Sequence, residues 1–222
     1  MELYFIIGII FICTIIIMLE LKKIRNNKNI EVSVLMPSKY NNTVIIMTML
    51  TDFDSYYSLV SVIMDQLRML CYKDYNVELW IPENANLRKI PELNNIIVKR
   101  VIPSYIVKED VCDDESVAKL CRFLVFELSK YNKSVVITHD ILYINSYINF
   151  ASAIHHVSKV LSGVKWLHGC HSGPTFVKPD NNDCKYRFSL PDLNHKILTF
   201  SKCHIDGYSK MYNVSRDRVV FA

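Results

Sequence analysis

The chain alternates short, almost wholly apolar runs with longer stretches of helical period, and that alternation restricts the folds open to it. Residues 43–50 (TVIIMTML), 76–82 (NVELWIP), 96–102, 134–140 (SVVITHD), 196–201 (KILTFS) and 218–222 (RVVFA) each read as strands, as does the run that starts at Val164. Continuous apolar runs suit strands covered on both faces, as in parallel sheets. Between them, Leu59, Val60, Ile63, Met64, Leu67, Leu70 and Cys71 recur at helical spacing, with Asp54 or Ser55 as a candidate N-cap. Further helices are expected over 116–131, 146–161 and 204–212. The alternation predicts an α/β fold: a Rossmann-like parallel sheet with flanking helices and right-handed crossovers.

Residues 3–19, bounded by Leu3 and Leu19, carry no charge. A membrane-spanning helix needs roughly 17–25 apolar residues, so this run reaches the low end. Lys22, Lys23, Arg25 and Lys28 follow directly. By the positive-inside rule, the body of the protein should lie on the cytoplasmic side of a single-pass membrane protein. The expected organisation is an anchor over 1–21, a basic juxtamembrane tether over 22–42, and a Rossmann-like domain over 43–222. A chain of 222 residues suits one domain with such an appendage.

Composition excludes several classes of function. The net charge is only +4, and the body has no long Lys/Arg cluster, so no nucleic-acid partner is expected. There are five glycines, no GxGxxG and no P-loop lysine, which argues against a dinucleotide site, and no cofactor is expected. The seven cysteines are scattered without a CxxC pair, as in a chain of reduced thiols. His168 and Cys170 could share a strand face, yet zinc wants three or four ligands, so no metal is expected.

The chemistry-bearing residues gather at the ends of two predicted strands. GVKWLHGCHSGP, residues 163–174, passes from an apolar run into His168, Cys170, His171 and Ser172. The run 134–140 ends in His139 and Asp140. Parallel α/β sheets bind their ligands beyond the carboxyl ends of their strands. His168 and His171 are therefore candidate catalytic residues at the floor of a cleft, since a histidine near its ordinary pKa of ~6.5 can take a proton at neutral pH. His139, Asp140, Ser172, Ser201 and the loop residues Ser55, Tyr56 and Tyr57 are candidate cleft-binding groups.

In order, these pieces resemble the N-terminal domain of GT-B glycosyltransferases of the group 1 and 4 type. DFDSYYSLVSVIMDQLRMLCYKDYNVELWIP is similar to that family's first loop, helix and second strand. VVITHD resembles its "DVIHAHD" strand, WLHGCHSGP the strand end bearing its histidine, and ILTFSKCHIDGYSKMYNVSRDRVVFA the segment leading to its "PNG" turn. SYYS stands where the family has a glycine-rich loop. The resemblance covers about residues 43–222 and stops before the second domain, which holds the nucleotide-sugar donor. It implies a membrane-anchored, acceptor-side half of a glycosyltransferase. Its partners would be a nucleotide-sugar donor, a sugar or lipid-linked acceptor, and a separate C-terminal GT-B subunit. A non-catalytic membrane scaffold derived from such an enzyme is the alternative. Deleting residues 1–28 should move the protein from the membrane to the soluble fraction on cell fractionation; retention at the membrane would refute the anchor.

Overall fold

A computed structural model describes residues 41–53, 58–73, 75–86, 96–103, 112–131, 133–174, 188–191 and 193–222. The expected anchor, with Leu3 and Leu19, the expected tether up to residue 40, and the loop residues Ser55, Tyr56 and Tyr57 lie outside these residues, and β1 takes the last two tether positions. Among the described residues, no helix is long and apolar enough to cross a membrane.

The strands are β1 (Asn41–Met47), β2 (Asn76–Pro82), β3 (Ile96–Ile102), β4 (Lys133–His139), β5 (Val164–Cys170), β6 (His195–Thr199) and β7 (Val219–Phe221). They form one sheet of seven strands in the order β3-β2-β1-β4-β5-β6-β7. Every pairing is parallel. The α-helices are α1 (Ser58–Tyr72), α2 (Asp114–Leu128), α3 (Ile148–Ser158) and α4 (Ile205–Met211). Sheet and helices belong to one compact unit, residues 38–222. The α/β parallel architecture expected from the apolar runs is the one observed.

Alternation along each strand sorts the core into two layers. Val44 and Ile46 of β1 pack with Leu59, Ile63 and Leu67 of α1 on one face. Ile45 and Met47 pack on the other face with Leu124 of α2, Phe150 of α3 and Tyr208 of α4. β1 and β4 are central and apolar on both sides, whereas Ile97 and Val98 of the edge strand β3 are exposed. Beside that edge, the buried Glu78 carboxylate accepts from Trp80 Nε1 at 2.8 Å and from Tyr131 OH at 2.5 Å, and pairs with Lys99 Nζ at 3.0 Å. Removing one partner from such a buried pair costs far more than the pair itself contributes.

Element ends differ from the sequence expectation by one to three residues, for local reasons. β1 stops at Met47, not residue 50, and Thr48 Oγ1 accepts from Leu50 N just beyond it. α2 starts earlier than residue 116, because Asp113 caps it by accepting from Ser116 N at 2.7 Å. The segment expected to start a helix at 146 opens with a 3-10 turn, Asn145–Tyr147, and α3 follows.

The turn after β5 leans on α4. Gly207 sits against Pro174 so closely that a β-carbon there would collide with the proline ring. Alanine normally favours a helix over glycine by about 1 kcal/mol. Overpacking costs about 1–3 kcal/mol, so the sign should reverse here. Gly207→Ala should lower the thermal unfolding midpoint of the full chain by circular dichroism; an increase would show that Pro174 yields freely.

Candidate functional site

Strand order reverses between β1 and β4, since β1 pairs with β2 on one side and β4 on the other. Open parallel sheets leave a crevice beyond the carboxyl ends at such a reversal. β4 ends there in His139, and Asp140 follows. Asp140 adopts φ 59°, the left-handed region that aspartate tolerates better than most residues. Its N–H donates to Gly169 O at 2.8 Å, tying the end of β4 to β5.

The buried Asp140 carboxylate then organises the turn after β5. Oδ1 accepts from His171 N at 3.0 Å and from the Tyr143 hydroxyl. Tyr143 OH in turn accepts from Ser172 N at 3.3 Å, and Tyr208 OH donates to Ser172 O. The Ser172 backbone is thus held from two elements, while the residue as a whole is exposed. Burial, and next the Asp140 charge, push the Tyr143 hydroxyl well above its ordinary pKa, so it remains a donor.

His139 and His171 meet at this turn. His139 Nδ1 lies 2.8 Å from His171 Nε2, and the rings are tilted with centroids 5.0 Å apart. One proton joins the two nitrogens, and its owner depends on the tautomer. A β-carbon on Gly169 would stand 3.1 Å from both His139 Nδ1 and Thr138 O, so the bare backbone there makes room for the dyad. Burial, and next the neighbouring His171, hold the His139 pKa down to about 3. Burial also lowers His171, while the Asp140 charge pulls the other way. Both rings are therefore neutral at pH 7. The His171 ring stacks on Phe200 at 4.5 Å. His139 Nε2 is buried without a hydrogen-bond partner among the described residues. His171, only half-buried, shows a bond for Nε2 alone among those residues, which leaves Nδ1 for a ligand. A neutral imidazole placed like this can bind a hydroxyl or take its proton.

His168 belongs elsewhere. His168 is in β5 and shares its face with Trp166, whereas His171 lies in the turn past the strand's end. His168 lies on the α2–α3–α4 face, 1% exposed, with Nδ1 2.8 Å from Thr138 Oγ1 and Nε2 3.0 Å from His195 Nδ1. Trp166 and His195 stack beside it, with centroids 5.6 Å apart. The Arg218 guanidinium donates to His195 O at 2.8 Å. The sequence expectation put His168 at the cleft floor beside His171; the structure buries it in the sheet core. The thiol of Cys170 is buried too, near Asp140 and Tyr212, and burial first raises its pKa.

The structure thus brings together His139, Asp140, His171 and Ser172, and keeps His168 apart. Ser201 is half-buried, and its hydroxyl lies 2.9 Å from Cys203 Sγ. Tyr143, Tyr208, Gly169 and Phe200 are participants that the sequence reading did not single out. Tyr143 had a signal, standing three residues past Asp140; Phe200 had none, because its contact is made across strands. Among the described residues, no group of three His, Cys, Asp or Glu side chains is placed to hold a metal ion. A scan against protein-family models and a search of the curated proteins both give no match to the chain.

The buried imidazoles make stability depend on pH with a definite sign. Burial first, then charged neighbours, hold His139 and His195 at about 3 and His168 well below its ordinary value. Above pH ~6.5 the folded and unfolded chains both keep these rings neutral, and the fold has its full stability. Below that pH the unfolded chain takes up protons that the fold refuses. Each such histidine then removes about 1.4 kcal/mol per pH unit. Urea unfolding of the full chain should therefore show a loss of about 4 kcal/mol between pH 6 and pH 5 for three such rings. A flat profile would mean that the rings are charged in the fold.

Proposed function

We propose that this chain is the acceptor-side half of a membrane-anchored glycosyltransferase. The observation that carries the proposal is the neutral His139–His171 dyad, set over Asp140 beyond the carboxyl edge of an all-parallel sheet and beside its order reversal. Its support from the sequence is the ordered resemblance of residues 43–222 to the N-terminal half of GT-B enzymes.

In such a transfer an acceptor hydroxyl oxygen forms a bond to the sugar's anomeric carbon. The bond from that carbon to the donor's diphosphate oxygen breaks, and the hydroxyl loses its proton. His171 is assigned to the hydroxyl: Nδ1 orients it or accepts its proton. Asp140 steadies the resulting charge, since its carboxylate already favours the protonated ring. His139 fixes the orientation of the His171 ring through Nε2. Phe200 backs the His171 ring with a flat surface. The donor nucleotide is assigned to a second half outside these 222 residues, where helix N-termini and basic side chains would meet its phosphates, so no divalent ion is required. Ser55, Tyr56 and Tyr57 precede α1, which packs on the same sheet face as His139, and they are assigned to the acceptor as well.

The test uses the full chain in detergent. Titration with monosaccharides and short oligosaccharides should shift the imidazole NMR signals of His139 and His171 saturably and leave the exposed His156 unmoved. His171→Ala should abolish the response. Incubation with nucleotide sugars should release no free nucleoside diphosphate from the chain alone. Turnover by the isolated chain would refute the divided site. Absence of any saturable sugar response would refute the acceptor assignment and leave the scaffold alternative.

A further inference from the structure

The contact between His139 and His171 restricts where both rings carry their protons. His139 Nδ1 and His171 Nε2 are 2.8 Å apart, a hydrogen-bond distance. A neutral imidazole has one N–H and one bare nitrogen. A bond between two neutral rings therefore uses one N–H and one bare nitrogen. The outer nitrogens differ in their surroundings. His139 is 1% exposed, and its Nε2 is buried without a hydrogen-bond partner among the described residues. His171 is only half-buried, and among those residues its ring bonds through Nε2 alone.

Only two arrangements satisfy that bond. In the first, His139 carries its proton on Nδ1 and donates to His171 Nε2. His171 then carries its own proton on Nδ1, and His139 Nε2 is bare. In the second, His171 carries its proton on Nε2 and donates to His139 Nδ1. His171 Nδ1 is then bare, and His139 carries its proton on Nε2. The mixed arrangements fail, because two N–H groups or two lone pairs would face each other across 2.8 Å. In either surviving arrangement the proton sits on the same-named nitrogen in both rings, and the two outer nitrogens have opposite roles.

We propose that His139 is a positioning residue that sets the tautomer of His171, so that the two rings change tautomer only together. The ligand meets His171 Nδ1, while the nitrogen that governs it lies out of reach inside the protein. Only the second arrangement leaves Nδ1 bare and able to take a proton from a hydroxyl. In that step the O–H bond breaks and its proton joins Nδ1. The ring becomes an imidazolium that still donates from Nε2 to His139 Nδ1. His139 Nε2 has no partner among the described residues to which a proton could pass. The proton therefore leaves through Nδ1, and the pair is a base with one point of exchange rather than a relay. The first arrangement presents Nδ1–H, a donor. A hydroxyl fits both arrangements, because its oxygen donates and accepts. A carboxylate only accepts and fits the first; an ammonium group only donates and fits the second. Hydroxyl compounds are thus the class that the pair binds in either tautomer. This ligand class deepens the acceptor reading and rests on it, whereas the coupling of the rings rests on their geometry.

The test is long-range proton–nitrogen correlation NMR of the full chain in detergent, with isotope-labelled histidine, at a pH of about 8, above the ordinary histidine value of ~6.5. Nitrogen shifts report which ring nitrogen carries the proton. The fraction of rings protonated on Nδ1 should be the same in His139 as in His171, whether read from averaged signals or from two sets in one ratio. Unequal fractions would overturn the proposal. Replacing His171 by Nδ1-methylhistidine leaves a neutral ring that can carry a proton only on Nε2. His139 should then lose every trace of Nδ1–H; any that persists in the folded chain would overturn the coupling. His139→Ala should shift the His171 fraction toward that of a free histidine peptide, and an unchanged fraction would show that His139 does not set it. Should either variant fail to fold by circular dichroism, the comparison in the unmodified chain still decides. Methyl glucoside should shift the His171 Nδ1 signal saturably and leave the two fractions equal. Equal fractions without a saturable shift would sink the ligand class and the acceptor reading together, and leave the coupling standing. Unequal fractions with a saturable shift would sink the coupling and leave the acceptor reading.

Discussion

Parallel pairing from β3 to β7 decides where every other part of the protein lies. A parallel sheet needs a crossover between successive strands, and crossovers cover its faces. β1 and β4 are therefore apolar on both sides, and polar chemistry is driven to the strand ends. All carboxyl ends share one edge. His139, Asp140 and the turn 171–174 meet there because β4 and β5 are neighbours, although they are some thirty residues apart in the chain. The opposite edge collects the returns from helix to strand.

Within the site the Asp140 carboxylate is the organising group. Its left-handed backbone turns the chain over Gly169, and its oxygen receives His171 N and the Tyr143 hydroxyl. Charged acceptors in buried surroundings make stronger hydrogen bonds than neutral ones. The turn is therefore set before any ligand arrives, which is the preorganisation a binding site needs. The second histidine group, His168 with His195 and Thr138, is equally well bonded but enclosed. Its rings fill the space beside Trp166 in place of aliphatic side chains, and their burial makes the fold sensitive to acid.

Much of this was legible in the residues. The runs at 76–82 and 96–102 match β2 and β3, and the order of strands and helices was read correctly. The gathering of His139, Asp140 and His171 at neighbouring strand ends followed from apolar runs that stop in polar residues. The face of His168 was also available, since strand parity puts it with Trp166 once β5 is accepted as a strand. The stack of His171 on Phe200 was not available, because it depends on how far β6 reaches past β5. Nor was the clamp from Tyr208 on Ser172 O, which depends on how α4 packs against the turn.

By itself the sequence determined the class of fold, because burial on both faces leaves an unmistakable apolar pattern in each central strand. It also determined which residues could carry chemistry, because few polar groups stand at strand ends. Only the tertiary structure decided which of those residues meet. Side-chain contacts across strands depend on strand order and register, and neither is encoded by local periodicity.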